Sequence, residues 1–284
     1  MIISTEELIN DNLELISLPE IVTQINSMVD DPNCTTIKIG ELIATDPALS
    51  ARLLKIVNSP FYNFPSSVDT ISMAITIVGT RQLRDLALAS AVTQQFRSLP
   101  DNLVSIDVFW HHSFACASAA RAIAEKCGIG NSERFFIMGL LHDIGKMAMY
   151  ITQPDLAREV IALSHQSDVD LEHLEQTAFG FTHADLGRTL LEQWCLPESL
   201  YTPIGFHDHP QDAPVYQVET SAVHLANGIA NTIETILSED DDIPIDSTVW
   251  DVLNLSPNDL DELIISAQQQ LGAALQVIYY DEAA

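Results

Sequence analysis

The sequence predicts an all-α protein, folded as one large domain or as two closely packed lobes, and three observations lead to this prediction. Apolar residues recur three and four positions apart, which is the spacing of a helix face, whereas the alternation typical of strands is nearly absent. Helix start signals precede several of these segments, for example Asp46-Pro47 and the pair Thr182 and Asp185. With 284 residues and 47% apolar composition, the chain is long enough to bury a full core.

The N-terminal part, residues 1–106, contains helices that are marked by caps and stops. Asp46 supplies an N-cap, Pro47 suits the first helical position, and an apolar face follows until the helix stops at Asn58. A second helix begins at Thr80 and carries its own apolar face. The pattern then breaks, so we place a boundary near residue 106.

Residues 107–237 are expected to form a second group of helices. Asp107 is expected to cap a helix that runs to about Cys127, where Gly128 fits a C-terminal stop. Ser132 is expected to cap the next helix.

The helix after Ser132 has an aspartate on its apolar face. That face has the i, i+3, i+4, i+7 spacing of a buried stripe and consists of Phe136, Gly139, Leu140 and Asp143. We expect Gly145 to end the helix, which leaves His142 and Asp143 in its last turn beside an opening. A carboxylate in that position needs a partner.

The remaining elements are also helical. A capping box at Thr182 places His183 at a helix start, and residues 218–236 have the pattern of a long amphipathic helix. Residues 238–284 are expected to form an acidic linker and a helical extension, whose last helix is capped at Ser256.

The charge of the chain argues against two classes of partner. Twelve basic residues against 40 acidic ones give a net charge of -28, which repels nucleic-acid phosphates and anionic lipids alike. The N-terminus lacks a basic segment followed by an apolar one, and no apolar run is long enough to span a bilayer, so we expect a cytoplasmic protein. Four scattered cysteines fit buried thiols in a reducing compartment better than disulfides.

Five side chains form the group that is most suggestive of chemistry: His112, His142, Asp143, His183 and His207. Imidazole and carboxylate are ligands of divalent metals, and one carboxylate in an adjacent His-Asp pair can bridge two ions. One or two ions of iron, manganese, nickel, zinc or magnesium are therefore candidates. In an enzyme, Asp143 and Lys146 would be the catalytic residues, with Lys146 contacting a phosphate as a point charge.

Each of these residues also has an ordinary structural interpretation. A histidine at a helix start often caps or donates a hydrogen bond, and Asp143 needs only a backbone N–H or an arginine partner. Surface or packing roles are assigned to the other histidines, which are His111, His165, His173, His209 and His224.

Several motifs resemble one family. Leu140-Leu141-His142-Asp143-Ile144-Gly145-Lys146 resembles the signature of the HD superfamily of metal-dependent phosphohydrolases, and residues 43–59 resemble the N-terminal half of its HDOD subfamily. The resemblance extends over about residues 15–235 through Ala74-Ile75, Val78-Gly79, Trp110-His111-His112-Ser113, His183-Ala184-Asp185-Leu186-Gly187 and Trp194-Cys195-Leu196-Pro197. It implies two helical lobes, the second of them built on the HD helical core, and a role in bacterial signal transduction.

The resemblance also implies a partly eroded metal site. The positions that match metal ligands of HD and HD-GYP proteins are His112, His142, Asp143, His183 and His207, and the following lysine is kept as Lys146. Two positions depart from the pattern: Asp208 interrupts the paired histidines, and Asn227 stands where the closing HD aspartate is expected. Both residues are included as weaker candidate ligands. The amide oxygen of Asn227 could bind a metal ion but carries no charge, and Asp208 offers a carboxylate in the place of an imidazole.

These implications lead to a functional expectation with two alternatives. The first expectation is a signal-transduction module that acts by binding another signalling protein or a small ligand, such as a nucleotide or a cyclic dinucleotide. One alternative is a metal-dependent phosphohydrolase acting on a small phosphoester or nucleotide, and the other is a metal-free nucleotide sensor.

Overall fold

The structure is a computed structural model that describes residues 4–59, 62, 64, 66–96, 103–166, 169–235 and 245–278. Within these ranges all regular structure is helical and no strand is present, which confirms the predicted fold class. In the same ranges, no helix combines the length and the apolar character that crossing a bilayer requires.

In the part of the chain described before residue 103, there are seven helices. They are α1 (Thr5–Asp11), α2 (Leu13–Ile16), α3 (Glu20–Asp30), α4 (Thr36–Ala44), α5 (Pro47–Val57), α6 (Ile71–Val78) and α7 (Thr80–Gln95). The next group is α8 (Ile106–Lys126), α9 (Ser132–Leu141), α10 (Ile144–Thr152), α11 (Pro154–Ser164), α12 (Leu171–Phe179), α13 (His183–Gln193), α14 (Glu198–Gly205) and α15 (Gln217–Thr235), with a 3-10 turn at Pro210–Asp212. The described C-terminal elements are α16 (Thr248–Leu253), a 3-10 turn at Pro257–Asp259 and α17 (Leu260–Ile278).

The helices surround two hydrophobic cores. The smaller core lies among α3 to α7, and the larger one is centred on α8, which packs against α9, α15 and α17. Leu8, Ile9 and Ile16, from α1 and α2, belong to the larger core. The predicted boundaries at residues 106 and 237 stay predictions. The acidic linker after residue 237 and the end of the predicted helix at Ile236 lie outside the described residues.

Most helix ends agree with the predicted caps. The Asp46 carboxylate accepts hydrogen bonds from the backbone N–H groups of Ala48 and Leu49, both at 2.9 Å. Thr182 forms its capping box with Asp185, and Gly128 has a φ of 66°, as the predicted C-terminal stop requires. Ser256 also forms a capping box, which is followed by a 3-10 turn before α17 begins.

Two predicted caps are wrong by one or two residues. Ser105 is the N-cap of α8, because its hydroxyl oxygen accepts a hydrogen bond from the backbone N–H of Val108. Asp107 lies in the first turn, where its carboxylate interacts favourably with the positive end of the helix dipole. Asn131, with a φ of 64°, is the N-cap of α9, so Ser132 is the first helical residue.

Gly145 does not end a helix as predicted. Helix α9 ends at Leu141, Asp143 is the N-cap of α10, and Gly145 lies in the first turn of α10. A Cβ at this position would lie 1.9 Å from the carbonyl oxygen of His183 and 2.7 Å from the nitrogen of Gly187. Glycine is needed here because α10 and α13 approach each other closely, and this contact brings Asp143 near His183.

Candidate metal centre

The five predicted side chains converge from separate elements. His112 lies on α8, His142 and Asp143 form the junction of α9 and α10, His183 begins α13, and His207 follows α14. The ring centroids are 5.2 Å apart for His112 and His142, 5.1 Å for His142 and His207, and 5.3 Å for His183 and His207. The predicted residues therefore share one site, while their role as metal ligands stays a prediction.

The Asp143 carboxylate lies between two groups of imidazoles. Its Oδ2 is 3.4 Å from His142 Nε2 and 3.9 Å from His112 Nε2. Its Oδ1 is 3.4 Å from His183 Nε2 and 3.7 Å from His207 Nε2. Each oxygen thus faces a separate set of potential ligands, which is the arrangement a bridging carboxylate would need.

Three of the histidines are oriented through their Nδ1 atoms. His142 Nδ1 donates to the Gly139 carbonyl at 2.8 Å, and His207 Nδ1 donates to the Ile204 carbonyl at 2.7 Å. His183 Nδ1 contacts a carboxylate oxygen of Glu175 at 2.7 Å. Since these acceptors hold the proton on Nδ1, the Nε2 lone pair of a neutral ring points into the site, as metal-binding histidines require.

Sequence reasoning missed Glu175, which is 3% exposed. A single oxygen of Glu175 accepts from both the backbone N–H and the Nδ1 of His183, at 2.8 and 2.7 Å. In the sequence, Glu175 stands four residues after Leu171 and four before Phe179, on the buried face of α12. An apolar residue would be expected there, so the glutamate at this position is a signal that the sequence does contain.

We expect Glu175→Gln to weaken Zn²⁺ binding by about 10- to 100-fold, because an uncharged amide orients His183 less firmly than a carboxylate does. Isothermal titration of the purified protein with Zn²⁺ measures this effect. The matched control is Glu172→Gln on the same helix, since Glu172 contacts His209 at 2.8 Å instead of His183. Equal affinities of the two variants would contradict the orienting role of Glu175.

His112 differs from the other three histidines. Its Nδ1 lies 3.2 Å from a Glu234 carboxylate oxygen, and its Nε2 lies 3.2 Å from the amide oxygen of Asn227. Both ring nitrogens therefore face oxygen atoms. The ring satisfies both contacts as an imidazolium, or as a neutral ring if the Asn227 amide is turned to present its NH₂ group.

Lys146 and Asp208 complete the site. The Lys146 ammonium donates to Asp143 Oδ2 at 2.8 Å, so the predicted phosphate contact is engaged with a carboxylate instead. Asp208 lies 3.2 Å from His183 Nε2 and 3.4 Å from His207 Nε2, which places this candidate ligand beside two imidazoles. Asn227 is likewise adjacent to the site, through its contact with His112.

Burial and close charges determine the protonation of the site. Burial lowers the pKa of His142 to about 3 and also lowers the pKa of His207, so both rings are neutral at physiological pH. Burial alone would lower the pKa of His183, but the carboxylates of Glu175 and Asp208 outweigh it and raise the pKa to about 10. Burial would raise the pKa of Asp143, yet the positive charges of Lys146 and His183 hold it well below its usual value.

The raised pKa of His183 predicts opposite pH dependences for folding and for metal binding. In the metal-free protein, protonated His183 contributes to the free energy of unfolding. This contribution is fully present below pH 6.5 and is lost as the pH rises through about 10. A metal ion needs the neutral ring of His183. Between pH 6.5 and about 10, we therefore expect the affinity for the metal ion to rise about tenfold per pH unit, and binding to release about one proton. Titration calorimetry at pH 7.5, in buffers of different ionisation enthalpy, counts the protons. An affinity that stays constant between pH 7 and 9 would contradict this assignment.

A cleft of about 430 Å³ lies against Asp208. Its acidic lining consists of Asp170, Glu172, Asp185, Asp208 and Asp212, and the rings of His173 and His209 also line it. Among the described residues that form the cleft, none is lysine or arginine. The approach to His183 and His207 from this side is therefore strongly acidic.

The other histidines lie outside the site. His165, His173 and His209 are exposed, and the His111 ring lies 3.5 Å from Glu234. His224 donates through Nδ1 to the His207 carbonyl at 2.7 Å and accepts from the backbone N–H of Asp246 at 3.0 Å. It thereby connects the loop of His207 to the segment before α16.

Several polar atoms of the site are buried and form no hydrogen bond in the described part of the chain. They are Nε2 of His142, His183 and His207, Asp143 Oδ1 and Asp208 Oδ2. Buried polar groups are nearly always satisfied, so a cluster of such atoms needs an explanation. Imidazole nitrogens and carboxylate oxygens that face one another fit a divalent metal ion, which would satisfy them together.

Comparisons with known proteins agree with this fold. The sequence profile of the HDOD domain matches residues 15–210. A curated protein from Treponema pallidum (strain Nichols), described only as uncharacterized, is 27% identical over 215 residues, or 74% of this chain. The chain spans only about two fifths of the length of that relative, since the match covers 41% of it.

Solved structures of similar proteins share the fold. A candidate phosphohydrolase from Shewanella amazonensis SB2B is 24% identical with a TM-score of 0.74, and the match covers 95% of this chain and 97% of that one. An HDOD domain protein of unknown function from Geobacter sulfurreducens is 22% identical with a TM-score of 0.74, covering 96% and 98%. A candidate signal transduction protein from Marinobacter aquaeolei VT8 is 21% identical with a TM-score of 0.69, covering 95% and 61%. At these identities the likeness concerns the fold alone.

Proposed function

The chain belongs to the HDOD domain family, and on that premise we propose that it is a signal-transduction module that holds a divalent metal ion and acts by binding, not by hydrolysis. Its partner would be another signalling protein, and a nucleotide or cyclic dinucleotide, being anionic, would be an additional ligand bound away from the acidic side of the metal centre. We place this activity in the cytoplasm, as the sequence predicts, and exclude nucleic acid and membrane surfaces as partners because of the net charge of -28.

The observation that carries this proposal is the acidic cleft at the candidate metal centre. A phosphoester that approached His183 and His207 through the cleft would meet five carboxylates and, among the described lining residues, no lysine or arginine. The nearby ammonium of Lys146 is already paired with Asp143 at 2.8 Å. Repulsion between like charges opposes binding of an anionic substrate and favours a cationic group, such as a lysine or arginine of a partner protein.

The metal ion itself is supported by the donor set. Asp143, His183 and His207 are buried, and the Nδ1 atoms of the two rings are held by Glu175 and by the Ile204 carbonyl. Such outer contacts fix the tautomer that a metal ligand needs.

The position of Asp143 favours one alternative function, a metal-dependent phosphohydrolase. Its two oxygens face separate imidazole groups, and Lys146 lies in the same site. A metal ion there would activate a water molecule and polarise a phosphoryl oxygen. Asp143 would hold the ion, and Lys146 would need to leave Asp143 to contact the phosphate.

Assays of hydrolysis together with metal content separate the two functions. Protein purified without chelators is measured for bound metal and then incubated with nucleotides and cyclic dinucleotides in the presence of Mn²⁺ or Fe²⁺. We expect bound metal and no turnover. Turnover that Asp143→Ala abolishes would establish the phosphohydrolase instead. Absence of metal, both after purification and after titration, would refute the metal-binding part of the proposal.

A further inference from the structure

We propose that the centre holds one divalent ion and not two, with Asp143, His183, His207 and Asp208 as its ligands. This inference rests on the metal binding proposed above and adds the number of ions and the ligand set. We call these four residues the Asp208 site. The other imidazole group, which consists of His112 and His142 on the Oδ2 side of Asp143, is called the His112 site.

The first reason is where the unsatisfied atoms lie. In the Asp208 site, every residue has a buried atom without a hydrogen-bond partner outside the site: Asp143 Oδ1, His183 Nε2, His207 Nε2 and Asp208 Oδ2, which face one another. In the His112 site, only His142 Nε2 has this property among the atoms that face Asp143 Oδ2. A metal ion in the Asp208 site would therefore bind all four of these atoms, whereas a metal ion in the His112 site would meet only His142 Nε2 as an atom without a partner.

The second reason is the spacing of the donor atoms in the Asp208 site. His183 Nε2 is 3.4 Å from Asp143 Oδ1 and 3.2 Å from Asp208 Oδ2. His207 Nε2 is 3.7 Å from Asp143 Oδ1 and 3.4 Å from Asp208 Oδ1. Zinc binds nitrogen and oxygen at about 2.0–2.2 Å in a tetrahedron, whose vertices are then about 3.4 Å apart. The donor atoms of Asp143, His183 and His207 all lie within 4.8 Å of one another, and the Asp208 carboxylate lies beside both imidazoles, so the four residues supply the N₂O₂ donor set of a zinc site.

The third reason is that two donor atoms of the His112 site, Asp143 Oδ2 and His112 Nε2, already contact other side chains of the protein. The Lys146 ammonium lies 2.8 Å from Asp143 Oδ2, and the amide oxygen of Asn227 lies 3.2 Å from His112 Nε2. His112 Nε2 is 3.9 Å from Asp143 Oδ2, which is the longest of the imidazole distances to Asp143. Lys146 thus supplies positive charge where a second ion would lie.

The balance of charge leads to the same conclusion. In the Asp208 site two carboxylates face the Nε2 atoms of the imidazoles, whereas in the His112 site only the shared Asp143 does, because Asn227 brings no charge and Glu234 contacts His112 at Nδ1. A second divalent ion beside Asp143 Oδ2 would be repelled by the ammonium of Lys146 at short range. One ion in the Asp208 site leaves the pair of Lys146 and Asp143 Oδ2 intact.

Titration with Zn²⁺ tests this inference, using calorimetry for affinity and elemental analysis for ions per chain. We expect one ion per chain in the unaltered protein and in His112→Gln. Asp208→Asn is expected to weaken binding by about 100-fold or more, since loss of a ligand costs at least as much as loss of an outer contact. Asp212→Asn is the matched control, because Asp212 lines the same cleft and is exposed.

The double variant Lys146→Gln with Asn227→Asp tests why the second ion is excluded. It removes the ammonium and adds a carboxylate, so we expect it to bind two ions per chain. If it stays at one, the explanation through Lys146 and Asn227 is wrong.

The remaining outcomes separate the inference from the proposed function. Two ions in the unaltered protein, or an Asp208→Asn variant that binds as tightly as Asp212→Asn, would overturn the single-ion site and leave a metal-binding module. Absence of any bound Zn²⁺ would overturn both.

Discussion

Asp143→Ala is expected to abolish measurable metal binding, with an affinity loss of at least about 100-fold. Asp143 is 3% exposed, and both of its oxygens face imidazole nitrogens at 3.4 to 3.9 Å, so the substitution removes the carboxylate that both imidazole groups share. The substitution also leaves the Lys146 ammonium without its carboxylate, which adds a repulsive charge to the site. Calorimetric titration with Zn²⁺ measures the loss.

Two further variants separate loss of the ligand from loss of the fold. Asp143→Asn keeps the size of the side chain and an oxygen acceptor for Lys146 but removes the charge, so we expect weak binding and a near-normal unfolding temperature. Asp155→Ala is the surface control, because the Asp155 side chain is 94% exposed and pairs with Arg158 in the same turn. Binding by Asp143→Ala that equals binding by Asp155→Ala would remove Asp143 from the centre.

Gly145→Ala is expected to lower the free energy of unfolding by about 3 kcal/mol or more, at the upper end of the cost of overpacking. The added Cβ would lie 1.9 Å from the His183 carbonyl oxygen and 2.7 Å from the nitrogen of Gly187. Both neighbours are backbone atoms of α13, which cannot rotate away, so α10 and α13 must separate. Because His183 begins α13, metal affinity should fall as well. Chemical denaturation of the metal-free protein measures the stability.

Gly272→Ala on α17 is the matched control for Gly145→Ala. A Cβ at Gly272 would meet no atom within 4 Å, and alanine is the better helix former by about 1 kcal/mol, so this variant should be slightly stabilised. If Gly145→Ala unfolds at the same denaturant concentration as Gly272→Ala, the close approach of α10 and α13 is not what requires glycine.

The fold was predictable because its signals are local. The apolar periodicity and the caps at Asp46 and Thr182 lie within a few residues of the helices they start, and both caps are confirmed. Gly145 was misinterpreted because a glycine after an apolar helix usually marks a stop, and its actual contact is with His183, far along the chain. Contacts between helices that are distant in sequence leave no such local signal.

The candidate site was predictable in part for the same reason. The motif at His142-Asp143 and the capping box before His183 identified residues that the structure brings together. The orienting partners were missed, because Glu175 acts through the tertiary contact between α12 and α13, and backbone carbonyls such as that of Ile204 carry no side-chain signature. The placement of Asp208 between His183 and His207 likewise required coordinates.

Anomalous X-ray diffraction at the zinc absorption edge, from crystals grown with Zn²⁺, is the most direct test that this site binds a metal ion. The expected result is an anomalous peak about 2.0–2.2 Å from Nε2 of His183, Nε2 of His207 and a carboxylate oxygen of Asp143. Crystals with no anomalous peak among these residues, and with the imidazoles hydrogen-bonded to other groups through Nε2, would contradict it.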